Sequence, residues 1–487
     1  MKQRNRPNVA ILLLDCARAD RLSCYGHRRP TTPRIDRLAE ESTLFERAVS
    51  PSIWTLESVT SLFTGLYPTQ HQTHYGQPNL DRSVPTLAQW LADLGYETRS
   101  ATRNPWIVPE TGLTRGFDTA IDIRAAARMG PMAKWARKAA AAGLPLGAIR
   151  NAWQALNSRI EARMHDAGAS RINTSIEQWL DAREQSRPFF LFVDYMEAHG
   201  PYSAPEVDRF RFLPEGVDRE TLSRVPLESW TYHADPSLLT PENLQILDGL
   251  YSGALSYLDR KIGEVVDLFE RKGILDDTVL VITADHGENL GEHGLVGHNY
   301  CVYDTLAHVP LICRYPGAFP RGLRADRLVQ SIDLLPTLEE ILSSAAPEHS
   351  SRSRQGVSLV GGASEGDSRR HALIEYLEPN LDLIRARRPD VDLSEFDRAW
   401  RAIRDERWKL ARASDGTLEL YDLENDSGET NELSNVHPEI VNALCRELDR
   451  WVEELGGDNG RRWSRTNSPT GELSGEMRER LAAFGYL

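Results

Sequence analysis

Five cysteines in 487 residues, an odd number with no paired spacing, give no disulfide framework and suit a reducing compartment. Long apolar runs are missing too. None approaches the ~18 residues of a membrane span, so no transmembrane anchor is expected. The start, Met1–Pro7, is basic, but the apolar run behind it stops at Asp15. That run is too short for a secretory leader and has no cleavage site, and a cytoplasmic chain is the expectation. Positive charge is in deficit: 57 Lys and Arg against 71 Asp and Glu leave a net charge of −14. A surface of that sign is unsuited to general nucleic-acid binding. No internal repeat is visible. What remains is 40% hydrophobic content, enough for one large domain and a smaller one.

Three short aliphatic runs carry the fold. Pro7–Asp15, Pro188–Val193 and Val279–Asp285 have no polar alternation, the pattern of strands buried on both faces of a parallel sheet. Amphipathic stretches such as Thr86–Gly95 and Tyr251–Lys272 separate them. Strands alternating with helices predict an α/β protein, a sheet covered by helices on both faces. Ligands of such sheets bind at the carboxyl ends of the strands. Asp15, Asp285, His286 and His199 all fall at strand ends, so the topology gathers them at one rim.

A set of motifs then points to a family. Pro7–Asp15 is followed by Arg18-Ala-Asp-Arg-Leu-Ser-Cys-Tyr-Gly26 and by Leu62-Phe-Thr-Gly-Leu-Tyr-Pro68. Further on stand Glu197-Ala-His-Gly-Pro-Tyr202, Thr283-Ala-Asp-His-Gly-Glu-Asn-Leu-Gly-Glu-His-Gly294 and Tyr303-Asp-Thr-Leu-Ala-His-Val-Pro-Leu311. In order and as a set, these resemble the sulfatase family of the alkaline-phosphatase-like superfamily. The resemblance implies a large mixed, mostly parallel sheet sandwiched by helices, with a small C-terminal antiparallel sheet. Arg407-Trp-Lys-Leu410 and Leu418–Leu423 are similar to that small sheet, and Phe484–Leu487 to a common family ending. The expected organisation is a catalytic unit over 1–370 and a small α+β unit over 371–487.

Sulfatases of this kind make their nucleophile from the Cys, sometimes Ser, of Cys-x-Pro-x-Arg, oxidised to formylglycine. Counted back from Thr64-Gly65, the three key positions here hold Thr55, Glu57 and Val59. Formylglycine is therefore not expected, and a plain hydroxyl remains. The superfamily's phosphatases and phosphodiesterases use such a Ser or Thr. A sulfated threonine cannot collapse to an aldehyde to shed its sulfate, whereas a phosphorylated one can be displaced by metal-activated water. Phosphoester hydrolysis through a covalent Thr55 intermediate is the expected activity. A sulfuric ester hydrolase, a phosphotransferase and a non-catalytic anion-binding relative are the alternatives. Thr55 also reads as a helix N-cap.

The resemblance, with the adjacency of Asp285 and His286, implies a divalent ion held by Asp15, Thr55, Asp285 and His286. Oxygens and one imidazole suit Mn²⁺, Zn²⁺ or Mg²⁺. His286 stands where sulfatases usually carry Asn, a phosphoester-type feature. Cys16 stands where many relatives carry a second Asp, and reads first as packing. His199 and His298 are expected to bind substrate oxygens or to assist the leaving group; His298 falls where sulfatases often have Lys. The two could also make a second metal site with a carboxylate such as Glu197 or Asp194. Asn104 is a further substrate-binding candidate. Arg18 and Asp20 are expected to hold the loop after Asp15, His293 to be structural, and His308 has no assigned role. The expected partner is a small anionic ester. The basic, Ala-rich segment of about 120–169 reads as a helical insert, a lid or a contact between copies of the chain. Pro205–Glu242 is expected to edge the pocket, and Ala345–Arg370 to be loop.

Overall fold

Strands β1 (Asn8–Leu14), β5 (Phe189–Tyr195) and β6 (Thr278–Thr283) are the aliphatic runs, and nearly every residue in them is buried. Successive side chains point to opposite faces of a sheet, so burial along a whole strand means both faces are covered. The computed structural model describes residues 6–123, 166–342, 355–361, 369–456 and 481. Most of the predicted insert of about 120–169, much of Ala345–Arg370 and the ending Phe484–Leu487 lie outside the described residues.

The other strands of the main sheet are β2 (Thr43–Val49), β3 (Glu97–Thr102), β4 (Thr119–Asp122), β9 (Leu311–Arg314) and β10 (Leu323–Gln330). Eight strands run in the order β10-β2-β9-β6-β1-β5-β3-β4. Only β9 is antiparallel to its neighbours β2 and β6; the remaining pairs are parallel. The expected mixed, mostly parallel sheet is what the chain forms. Between β6 and β9, β7 (Asn289–Leu290) and β8 (Val296–Gly297) make a two-stranded ribbon.

Helices α1 (Thr55–Thr64), α2 (Leu87–Asp93), α3 (Ala169–Ala182), α4 (Pro241–Arg271) and α5 (Leu334–Leu342) accompany the sheet. All ten residues of α1 are buried, and the helix stops at Gly65, whose φ of +67° is the left-handed conformation that ends helices. Helix α4 begins at Pro241 and so extends N-terminally beyond the predicted Tyr251–Lys272. Thr240 caps it, its hydroxyl accepting from Asn243 N–H, with Pro241 in the first turn.

Near the C-terminus, β11 (Ala372–Tyr376), β12 (Trp400–Arg404), β13 (Trp408–Ala413) and β14 (Leu418–Asp422) form a separate antiparallel meander. Helix α6 (Pro438–Glu454) packs on it through Val441, Leu444, Leu448 and Val452. Buried charge ties the small sheet to the segment that precedes β9 and to the loop after β14. Lys409 of β13 reaches Asp304 (2.8 Å) and Glu429 (2.7 Å), and Arg404 of β12 reaches Asp304 (2.5 Å).

Candidate active site

Strand register decides which carboxylates meet. Leu13 of β1 lies beside Asp194 of β5 on one side and Thr283 of β6 on the other. Asp15 and Asp285, each just past its strand, therefore emerge on the same rim as Asp194. Asp15 Oδ2 accepts from Asn104 Nδ2 at 2.8 Å and its Oδ1 from the Cys16 thiol at 3.1 Å. Asp285 Oδ1 accepts from the backbone N–H of Cys16 (3.2 Å) and of His286 (2.9 Å). The Cys16 backbone turns through φ +64°, a conformation uncommon outside glycine, which folds it back across the rim.

Thr55 is the first residue of α1, and Trp54 occupies the capping position. The hydroxyl thus does not serve as the N-cap. Its Oγ1 lies 3.2 Å from His286 Nε2. His286 Nδ1 is 3.0 Å from the carbonyl of Gly287, which can only accept; Nδ1 carries the hydrogen and Nε2 presents its lone pair to Thr55. Gly287 has no alternative here, because a Cβ would stand 2.1 Å from the Thr305 carbonyl oxygen and 2.8 Å from Arg18 Cγ.

The β7–β8 ribbon brings in the next pair. Asn289 faces Gly297, so the residues just outside, Glu288 and His298, are neighbours. His298 Nδ1 is 2.9 Å from Glu288 Oε2, and Tyr202 donates to Glu288 Oε1 at 3.1 Å. His298 stacks on His286 with centroids 4.7 Å apart and touches His199 at 4.9 Å and Trp54 at 5.5 Å. His199 donates from Nδ1 to the Gly200 carbonyl at 2.6 Å. All seven residues expected at the site (Asp15, Thr55, Asn104, His199, Asp285, His286 and His298) are thereby in one buried cluster. Asn104 is engaged on both sides, donating to Asp15 and accepting from Trp106 N–H through Oδ1. Glu288 is the member that sequence reasoning passed over. Its signal was the acid three positions after Asp285, but only the ribbon shows that it faces His298.

Burial sets the electrostatics. It raises the Asp15 and Asp194 carboxyls well above the usual range, each further raised by a neighbouring aspartate. Burial lowers His286 to about 4 and His298 to about 3. Carboxylates crowded in low dielectric with neutral imidazoles make a setting that a cation would relieve. The donor atoms fit one. Asp285 Oδ2 is buried with no hydrogen-bond partner and lies 3.4 Å from His286 Nε2. That gap and the 3.2 Å from Nε2 to Thr55 Oγ1 match neighbouring ligands on one ion with bonds of about 2.1 Å.

The surroundings divide into scaffold and bystanders. Arg18 grips Asp20 in two parallel bonds of 2.8 Å and also reaches the Glu288 carbonyl and Glu292, so it joins the Asp15 loop to the ribbon. Glu57 is buried and hydrogen-bonded to Ser52, and burial holds its carboxyl well above the ordinary range. His293 sits in the ribbon's turn at φ +55°, stacked on Tyr303, as a structural residue. His308 bonds the Glu46 carbonyl.

Carboxylates, imidazoles and a hydroxyl on the carboxyl rim of such a sheet are the equipment of a hydrolase of anionic esters. The sulfatase family model matches residues 7–344, and the chain belongs to the sulfatase family. A second model, for the C-terminal part of N-sulphoglucosamine sulphohydrolase, matches residues 291–454. Choline-sulfatase of Rhizobium meliloti is 26% identical over 457 residues, spanning 88% of this chain and 82% of that protein. The multifunctional alkaline phosphatase superfamily protein PehA of Trinickia caryophylli is 24% identical, over 88% of this chain and 91% of its own. Among solved structures, the phosphonate monoester hydrolase of Agrobacterium radiobacter superposes with a TM-score of 0.70 at 22% identity. It covers 92% of this chain and 96% of that one, a likeness of fold. Ester hydrolysis is thus the reaction class. Among the described residues, no helix is long and apolar enough to cross a membrane.

Proposed function

We propose that this chain hydrolyses phosphoesters, mono- or diesters, with Thr55 as the nucleophile. The observation that carries this reading is the plain Thr55 hydroxyl at the buried start of α1, 3.2 Å from His286 Nε2. Asp15, Asp285, His286 and Thr55 would hold a divalent ion. When bound, it would lower the effective pKa of the hydroxyl and offset charge on the transferring group.

The chain's own residues divide the work. Thr55 Oγ1 forms the bond to phosphorus as its proton departs. The bond to the alcohol oxygen breaks, and that oxygen takes up a proton. Water then displaces the phosphoryl group from Thr55, which recovers its hydrogen. Free N–H groups of the first turn of α1 suit an anion. Asn104 steadies Asp15, while Glu288 and the Gly200 carbonyl orient His298 and His199 toward the leaving group or the incoming water. Trp54 and Trp106, packed against each other beside this cluster, exclude water from one side.

Sulfate ester hydrolysis is the second reading, favoured by the match of residues 291–454 to the sulphohydrolase C-terminal model and by the likeness to choline-sulfatase. Matched aryl phosphate monoester, phosphodiester and sulfate, offered to metal-reconstituted protein and to Thr55→Ala, separate the two. The expected outcome is phosphoester turnover that the substitution abolishes. Dominant sulfate turnover that survives it would overturn both the nucleophile and the substrate class.

A further inference from the structure

Two buried tyrosines lie one contact behind the donors of the site. Tyr251 comes from the middle of α4 and is 0% exposed; Tyr202 follows the His199 turn and is 2% exposed. A phenol has one hydrogen to give and lone pairs to accept with. Tyr251 uses both at a single turn: its hydroxyl donates to the Cys16 carbonyl at 2.7 Å and accepts from Arg18 N–H at 2.9 Å. In that turn Cys16 stands at φ +64°, a conformation that costs energy for a residue with a Cβ. The same turn carries the Asp15 carboxyl and the Cys16 N–H that holds Asp285 Oδ1 at 3.2 Å. Two of the four expected ion ligands thus take their position from one backbone conformation, which Tyr251 grips from 235 residues further along the chain. Tyr202 backs the other half. Its hydroxyl donates to Glu288 Oε1 at 3.1 Å, and Glu288 Oε2 lies 2.9 Å from His298 Nδ1. Its backbone N–H closes the His199 turn, donating to the His199 carbonyl at 2.9 Å. The two tyrosine rings meet edge to face, with centroids 5.7 Å apart and planes at 88°.

We propose that Tyr251 and Tyr202 are positioning residues with divided duties. Tyr251 sets the geometry of the half that holds the ion, and Tyr202 that of the half that serves the leaving group. The proposal rests on the roles that the phosphoester reading gives to Asp15, Asp285 and His298. Phenylalanine at either position keeps the ring and the edge-to-face contact and removes only the hydroxyl. At 251 it takes away the bonds to the Cys16 carbonyl and Arg18 N–H, both in buried residues, so the strained turn relaxes and carries Asp15 with it. At 202 it frees one oxygen of Glu288 and lets that acid and His298 turn together, while the Asp15 turn keeps its own clamp.

The test begins with ion affinity, read without turnover by chelator competition for Mn²⁺ or Zn²⁺ on the full chain. Tyr251→Phe should hold the ion about 10–100-fold more weakly than wild type, the range for losing a group that orients a ligand. Tyr202→Phe should stay within about threefold of wild type. A Tyr251→Phe chain that melts lower without ion yet binds it as wild type does would overturn the proposal, since the hydroxyl would then serve the fold alone. Equal weakening in both variants would overturn the division of duties. At saturating ion, Tyr202→Phe should lower kcat/KM about tenfold on esters of basic alcohols and less than about twofold on nitrophenyl esters, which leave without a proton. Equal losses on both would remove Tyr202 from the leaving-group half. Hydrogen exchange of the wild-type chain covers a variant that does not fold. The Arg18 amide should be protected in the ion-free protein about as well as the amides of β1. Protection that arises only on ion binding would assign the turn to the ion and overturn the role of Tyr251. Failure of the phosphoester reading would appear in the substrate panel and leave the ion affinities unmoved; the leaving-group series then runs on sulfates.

Discussion

Replacing Thr55 separates chemistry from stability by a margin the structure lets us work out. Thr55 is 2% exposed, and its hydroxyl contacts His286 Nε2. Thr55→Ala removes that contact from a buried imidazole, at a cost of about 1–3 kcal/mol. Thr55→Ser keeps the hydroxyl and loses one methyl, a cost of about 1 kcal/mol. Both are smaller than the ~5–15 kcal/mol that holds a typical domain folded, so both variants should be purified as folded protein. The kinetic effects differ far more. Loss of an attacking oxygen is expected to lower kcat on the order of 10⁴-fold or more, about 5.5 kcal/mol of transition-state stabilisation. Serine should remain within about tenfold of wild type, since it presents the same oxygen. The assay is kcat and KM on an aryl phosphoester, with thermal melting and metal content measured on the same preparations. An alanine variant within tenfold of wild type at equal metal content would refute the reasoning, as would a serine variant no better than alanine.

Lys409→Met should destabilise the chain by about 3–5 kcal/mol, because Asp304 and Glu429 would lose the buried cation between them; a denaturant midpoint unchanged from wild type would count against that clamp. Gly287→Ala should cost about 3 kcal/mol or more, since the new Cβ meets the Thr305 carbonyl rather than a flexible side chain; normal melting and full activity would sink the argument. Burial holds His71 down to about 3 in the fold, where its Nδ1 accepts from Thr73 N–H. The unfolded chain binds that proton from about pH 6.5 downward, so stability falls as pH drops below 6.5, by about 2 kcal/mol at pH 5 from this residue. His71→Gln should flatten that part of a urea-midpoint profile, and an identical slope in the variant would contradict the assignment.

The legible parts of this chain were those governed by local chemistry. Unbroken aliphatic runs ending in carboxylates announced buried parallel strands and placed Asp15 and Asp285 on one rim, because strand burial and strand ends are properties of a few consecutive residues. Polar first turns hid the true start of α4. Its signal, Pro241 after the Thr240 cap, was local but lay outside the apolar period. Thr55 showed the opposite difficulty: its identity suggested a cap, while the fold gave that position to Trp54 and turned the hydroxyl to His286.

Aliphatic runs and their spacing by themselves determined the sheet class and the strand-end acids Asp15 and Asp285, while the other residues expected at the site came from the resemblance to the sulfatase family. They could do so because a buried strand and a strand-end acid write their environment into adjacent positions. Tertiary structure alone decided which donors share a centre. The opposition of Glu288 and His298 depends on ribbon register, and the meeting of Asp15 with Asp194 depends on strand order. The bond from Tyr251 to the Cys16 turn needs a backbone at positive φ and a helix 235 residues further along the chain. Distances between remote side chains follow from packing, and packing is a property of the whole fold.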